Sequence, residues 1–182
     1  MAYYDITETA ELGCQYNLIF GERSNGKTTA GLIKAIEDYT NGLGRAVYIR
    51  QMDMDLKGQR GANIMNSLRY GGPKKDLNLI EQSSGGEYDQ VKYYSRAWYL
   101  GKTQDDESVR WEKEPFCYAM AISNAQHDKS ATPPQVRNII FDEFIPLNGN
   151  YLVDETALFR NLVSTIIRDV DTVQIFMFAN TI

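Results

Sequence analysis

Gly21-Glu22-Arg23-Ser24-Asn25-Gly26-Lys27-Thr28 fits GxxxxGK[ST] at every fixed position. Before it, Tyr16 to Phe20 is a short, mostly apolar run that predicts a buried strand. After it, Lys27 to Tyr39 carries Leu32, Ile33, Ala35, Ile36 and Tyr39 at helical spacing, and Asn41-Gly42 supplies a stop. Ala46 to Arg50 reads as a second strand, so the order is strand, loop, helix, strand, the pattern of a βαβ unit in a parallel sheet. A glycine-rich turn at that junction points successive N–H groups into an anion-sized nest, and the helix N-terminus adds positive potential. Lys27 is then a point charge for the β- and γ-phosphates, and Thr28 offers a hydroxyl to Mg²⁺. The ATP-binding set predicted here is Gly21, Arg23, Ser24, Asn25, Gly26, Lys27, Thr28 and Thr29.

A second stretch, Asn138-Ile139-Ile140-Phe141-Asp142-Glu143, reads as a buried strand ending in two carboxylates, with Asn138 a departure from the apolar run. A strand beside the first would bring these acids to the phosphates. Asp142 is the candidate to hold Mg²⁺ through water, and Glu143 to polarise the attacking water. Adjacent Asp and Glu favour hydrolysis over phosphoryl transfer to a small molecule. The competing reading is a surface acidic pair that merely follows a strand.

The chain has 182 residues, 19 Lys+Arg and 24 Asp+Glu, for a formal charge of −5. That length suits one domain, and 43% hydrophobic with 24% charged residues excludes a disordered chain or a collagen-like repeat. Cys14 and Cys117 lie too far apart for a CxxC pair and read as idle reduced thiols. No apolar run approaches the roughly 18 residues of a membrane span. Met1 to Ala10 is acidic and polar, unlike a signal peptide, and predicts a cytoplasmic protein. Net negative charge means that any DNA contact needs a local patch. Leu56 to Lys75 is such a stretch, with Lys57, Arg60, Arg69, Lys74, Lys75, no acid and several glycines that suit a mobile segment.

Asn78 to Gln82, Tyr88 to Lys102 and Glu112 to Ser123 are β-prone and predict a small antiparallel excursion inserted in the α/β core. The Tyr93-Tyr94 and Trp98-Tyr99 pairs could stack bases, although packing of a small sheet is the more common use. Asp154 to Ile167 predicts a helix with Asp154 as N-cap, and Val173 to Ala179 a last strand. Asn180 at its end is placed to sense a γ-phosphate, or simply to turn the chain. Arg168 could complement a helix dipole or act as an arginine finger on a neighbour's ATP. His127, the one histidine, suggests no metal site beyond Mg²⁺. A chain stopping just past a core strand is expected to be an N-terminal fragment.

Together these segments resemble the DNA-packaging (encapsidation) ATPases of small podoviruses, relatives of the terminase large-subunit motor. The resemblance rests on Asn17 to Thr28, Val47 to Arg50, Lys129-Ser130 leading into Ile139 to Ile145, and Ile167-Arg168 with Phe178 to Asn180. It implies a P-loop NTPase of the additional-strand, catalytic-glutamate (ASCE) type, with a mostly parallel central sheet flanked by helices. It implies a homomeric ring, typically a pentamer, at the portal of a procapsid in the host cytoplasm. Such a ring contacts packaging RNA and drives double-stranded DNA inward. Lys27, Thr28, Asp142 and Glu143 take the roles argued above; Arg168 matches a finger acting in trans, and Lys129 a second basic interface residue. Arg23 and Arg50 match family arginines whose roles the resemblance leaves open. The family also carries a nuclease-like C-terminal domain, which is expected to be absent from this fragment. The alternatives are an unrelated P-loop ATPase of DNA-repair type, a small-molecule kinase, or a nucleotide-gated binding module.

Overall fold

The computed structural model describes residues 4–70, 77–125, 133–146, 148–168 and 172–181. After a short helix α1 (Thr7–Glu11), strand β1 (Tyr16–Gly21), helix α2 (Lys27–Thr40) and strand β2 (Arg45–Arg50) form the expected βαβ unit. A 3₁₀ turn at Asp53–Leu56 leads into short helices α3 (Gly58–Ile64), α4 (Asn66–Tyr70) and α5 (Leu79–Ser83). Strands β3 (Gln90–Tyr94), β4 (Ala97–Thr103), β5 (Val109–Trp111) and β6 (Cys117–Ala121) follow. Strand β7 (Val136–Asp142), helix α6 (Glu155–Ile166) and strand β8 (Gln174–Asn180) complete the described chain.

All eight strands lie in one sheet, ordered β1-β8-β7-β2-β6-β4-β3, with β5 paired to β4. From β1 to β6 every neighbour is parallel; β4, β3 and β5 extend the sheet antiparallel. β2 and β7 are apolar on both faces because helices cover both, as central parallel strands require. On one face Leu32, Ala35 and Ile36 of α2 pack with Tyr48, Ile140, Phe176 and Phe178. On the other, Phe159, Leu162, Val163 and Ile166 of α6 pack with Val47, Ile49, Ile139 and Phe141. Buried Asn138 faces α2, where its amide donates to Asp38 Oδ2 at 2.7 Å, while its own Oδ1 is buried without a partner.

Several expectations are corrected. β1 is an edge strand, not a buried one: Asn17 and Ile19 are covered, while Tyr16, Leu18 and Phe20 stand 45%, 54% and 54% exposed on the opposite face. β7 does not lie beside β1, because β8 intervenes. β6 belongs to the parallel core rather than to the antiparallel excursion. Asn78 to Gln82 is helical, because the Asn78 side chain accepts from the N–H groups of Ile80 and Glu81 and Leu79 and Ile80 are buried.

Asp154 does occupy the N-cap position, but its left-handed backbone (φ 57°) leaves its carboxylate without a capping bond. The neighbouring Glu155 carboxylate instead accepts the Leu152 N–H at 2.8 Å. The described part of the basic stretch is not a glycine loop. It forms α3 and α4, with Leu56, Met65 and Leu68 fully buried. Of the aromatic cluster, Trp98 is buried and partly covered Tyr93 packs on the core, whereas Tyr94 is 69% exposed. Cys14 is exposed, Cys117 is buried, and neither is in a disulfide.

Candidate active site

The parallel strands end level. Gly21 pairs with Asn180 and Asp142 with Phe178, so the carboxyl ends of β1, β8 and β7 share one rim with the phosphate loop. The loop turns through left-handed backbone at Ser24 (φ 66°) and Gly26 (φ 87°), the second strongly favouring glycine. A Cβ at Gly21 would lie 2.5 Å from Asn25 Nδ2, so a larger residue there would displace the Asn25 amide that holds Lys27. A cavity of about 320 Å³ opens above the loop, lined by Arg23 to Thr29 together with Asp142, Glu143, Phe178 and Asn180.

Lys27 is buried and held by the loop itself. Its Nζ donates to the carbonyls of Gly21 (3.0 Å) and Glu22 (2.8 Å), to Asn25 Oδ1 (3.0 Å) and to Asn180 Oδ1 (3.4 Å). Burial pushes this ammonium below its ordinary pKa, while the negative charge of Asp142 works against that shift. Four oxygens thus fix the lysine ammonium at the edge of the cavity. The Thr29 hydroxyl donates to Ser67 on α4 at 3.4 Å, so it braces the first turn of α2 from behind.

Asp142 receives four donors. Oδ1 accepts from the Thr28 hydroxyl (3.0 Å) and the Glu143 N–H (3.1 Å). Oδ2 accepts from the Tyr48 hydroxyl (2.6 Å) and the Arg50 guanidinium (3.3 Å). Burial first, and then the charge of Asp142, pushes the Tyr48 phenol well above its ordinary pKa, so it is a donor at any physiological pH. The other arm of Arg50 reaches Glu143 Oε2 at 2.8 Å. Glu143 itself sits at φ 54°, a left-handed conformation that costs a non-glycine residue about 1–2 kcal/mol. Thr28 and Asp142 offer hard oxygens side by side, a donor set that suits Mg²⁺. Among the described residues no three His, Cys, Asp or Glu cluster to hold a metal unaided. An ion bound here would take its remaining ligands from phosphate and water.

The structure therefore brings together Gly21, Arg23, Ser24, Asn25, Gly26, Lys27, Thr28, Thr29, Asp142, Glu143 and Asn180. Arg168 is not among them. It is exposed just past α6, at the amino end of β8, and that seven-residue strand separates it from the rim by about 20 Å. Lys57 pairs with Asp53 (2.8 Å) and Arg60 approaches Asp55 (3.8 Å), so acids just ahead of the basic stretch offset part of its charge. Arg69 lies on α4. Lys74, Lys75, Lys129 and His127 lie outside the described residues. Sequence reasoning missed Tyr48 and Phe178, and left Arg50 without a role. Tyr48 stands two residues before Arg50 and Phe178 two before Asn180, so strand alternation puts each pair on one face.

A strand–loop–helix turn facing an acidic strand end, in a mixed sheet with helices on both faces, places the molecule in the α/β class. Comparison with known proteins narrows the likeness to viral DNA-packaging motors. The Podovirus DNA encapsidation protein (Gp16) family matches residues 111–182. The DNA packaging proteins of Bacillus phages phi29 and PZA are each 26% identical over 168 residues, covering 91% of this chain and 42% of theirs. The chain thus spans less than half the length of these curated relatives.

In three dimensions it is similar to the N-terminal domain of the DNA packaging ATPase from bacteriophage phi29. The TM-score is 0.72 at 21% identity, covering 97% of this chain and 78% of that one. The large terminase ATPase domain of Thermus phage P74-26 follows at 0.56 and 12% identity, covering 98% of this chain and 65% of that one. These likenesses show a shared fold. No helix among the described residues is long and apolar enough to cross a membrane.

Proposed function

We propose that this chain is the ATP-hydrolysing domain of a viral DNA-packaging motor, a P-loop NTPase of the ASCE type. One observation carries the reading: Thr28 of the phosphate loop and Asp142 of β7 are 3.0 Å apart in the cavity that also holds Glu143. β8, inserted between β1 and β7, is the candidate for the additional strand, and Glu143 for the catalytic glutamate. Thr28 and, through water, Asp142 would hold Mg²⁺, which supplies charge neutralisation to the phosphates. Lys27 would exchange its four oxygen partners for phosphate oxygens. Asn180, already bonded to Lys27, is placed to sense that exchange. Glu143, released from Arg50, would accept a proton from the attacking water.

Arg168 cannot reach its own cavity at that distance, so as a finger it would serve a neighbouring subunit in a ring, a pentamer by the family resemblance, with Lys129 as a second interface residue. The ring would act at the procapsid portal in the host cytoplasm, driving double-stranded DNA and contacting packaging RNA. Lys57, Arg60, Arg69, Lys74 and Lys75 are candidate DNA contacts.

The test is ATP hydrolysis by the purified chain across a concentration series, with and without double-stranded DNA. Hydrolysis that rises faster than linearly with protein concentration is expected. Phosphate transfer to a small acceptor without hydrolysis would replace this reading by the small-molecule kinase.

A further inference from the structure

Asp142 has no free lone pair. A carboxylate offers about four acceptor positions, and Thr28, the Glu143 N–H, Tyr48 and Arg50 occupy them two to each oxygen. The shortest of the four bonds, 2.6 Å, comes from Tyr48, which is 1% exposed. Tyr48 is fixed from behind by an aromatic column. Its ring meets Trp98 edge-on at 5.8 Å, and Trp98 packs against Tyr93 at 4.8 Å. The column is tied to α3, where Trp98 Nε1 donates to the Gly61 carbonyl at 3.1 Å, and to the end of the 3₁₀ turn, where Tyr93 donates to the Leu56 carbonyl. A phenol so held cannot follow Asp142 if the carboxylate rotates.

We infer that Tyr48 is a specificity-determining residue for the metal: by occupying Oδ2, it keeps Asp142 from ligating a cation directly with both oxygens and so favours Mg²⁺ over Ca²⁺. This rests on the reading that Thr28 and Asp142 hold the nucleotide's metal. Thr28 can turn its oxygen to the ion while Tyr48, Arg50 and the Glu143 N–H stay in place. That frees one position on Oδ1, enough to accept from a metal-bound water. Mg²⁺ dehydrates reluctantly, keeps several waters and needs few protein ligands; Ca²⁺ takes six to eight oxygens and accepts bidentate carboxylates readily. A carboxylate pinned on Oδ2 suits the first ion and handicaps the second. Partners of this kind, one shell behind the ligand, typically change metal affinity 10–100-fold.

The experiment measures Mn²⁺ binding to the chain with ADP by electron paramagnetic resonance, then competes it with Mg²⁺ and with Ca²⁺. Wild type should favour Mg²⁺. Tyr48→Phe, which keeps the ring and loses the donor, should raise Ca²⁺ affinity relative to Mg²⁺ about 10-fold. A merely structural role would weaken both ions alike and leave the ratio unchanged, which overturns the inference. Should Tyr48→Phe not fold, Trp98→Phe loosens the column while keeping the phenol. A smaller shift in the same ratio is then expected, and none overturns the inference. If wild type with ADP binds no Mn²⁺ at all, the assignment of the metal site fails instead.

Discussion

The guanidinium of Arg50 is 2.8 Å from Glu143 Oε2 and 3.3 Å from Asp142 Oδ2, so one residue at the end of β2 spans both acids at the end of β7. The parallel pairing of β2 with β7 sets this up, placing Ile49 opposite Phe141. Removing the guanidinium leaves Asp142 with three of its donors and Glu143 without its side-chain anchor. Arg50→Ala is expected to lower ATP turnover about 100-fold, the scale set by a misplaced catalytic group. Nucleotide affinity, measured by titration with a fluorescent analogue, should change little. Unaltered turnover would reduce the pair to a resting contact.

Glu143→Gln keeps the size of the side chain and removes its basicity. ATP should still bind, and hydrolysis should fall by roughly 10²–10⁴. Lys27→Ala should instead weaken nucleotide binding itself, since it removes a buried cation facing the cavity. Parallel binding and turnover assays separate the two.

Arg168 and Glu143 sit at opposite ends of the sheet within one subunit. If Arg168 acts in trans, pure Arg168→Ala and pure Glu143→Gln proteins should both be inactive. A mixture should regain activity at interfaces that join an intact Glu143 to an intact Arg168. Absence of recovery in a mixture shown to co-assemble would remove the finger.

Gly31 lies on α2 beneath the Phe178 ring, and an added Cβ would sit 2.8 Å from it. Gly31→Ala gains up to about 1 kcal/mol of helix propensity but forces Phe178, which lines the cavity, to move. Overpacking of this kind costs about 1–3 kcal/mol. A net fall in melting temperature is expected, together with weaker nucleotide binding.

Asp89 ties the start of β3 to the end of β4. Burial alone would raise its pKa. The Thr103 N–H (2.9 Å) and hydroxyl (3.0 Å) and the nearby Lys102 outweigh burial and hold it below the ordinary value. A depressed carboxyl stabilises the fold above its unfolded pKa of about 3.9 and loses that contribution as pH falls through the folded value. Asp89→Asn should cost about 1–2 kcal/mol at neutral pH and flatten the decline in stability below pH 4. Urea unfolding across pH checks both.

The strand–loop–helix turn and the acidic strand end were legible because their spacing dictates local backbone. Strand order was not legible. That β8 separates β1 from β7 depends on pairings across more than a hundred residues, which no local pattern encodes. The basic stretch read as more positive than its surroundings because composition was counted from Leu56 onward, just past Asp53 and Asp55, the acids that lie against its first charges. The helix at Leu79–Ser83 is too short to show a period, and only its cap, Asn78, could have revealed it. Tyr48 went unnoticed because a tyrosine in an apolar strand reads as core; its hydroxyl gains meaning only when β7 is placed beside it.

The left-handed backbone at Glu143 gives selection two opposing criteria. Glycine or asparagine adopts that conformation more easily, and relief of about 1–2 kcal/mol corresponds to several degrees of melting temperature in a domain of this size. A library ranked by thermal tolerance would therefore enrich glycine or asparagine at position 143, and one ranked by ATP consumption would enrich glutamate. If Glu143 carries the proposed hydrolysis, variants hardened by directed evolution for stability alone would drift toward inert proteins that fold better than their parent.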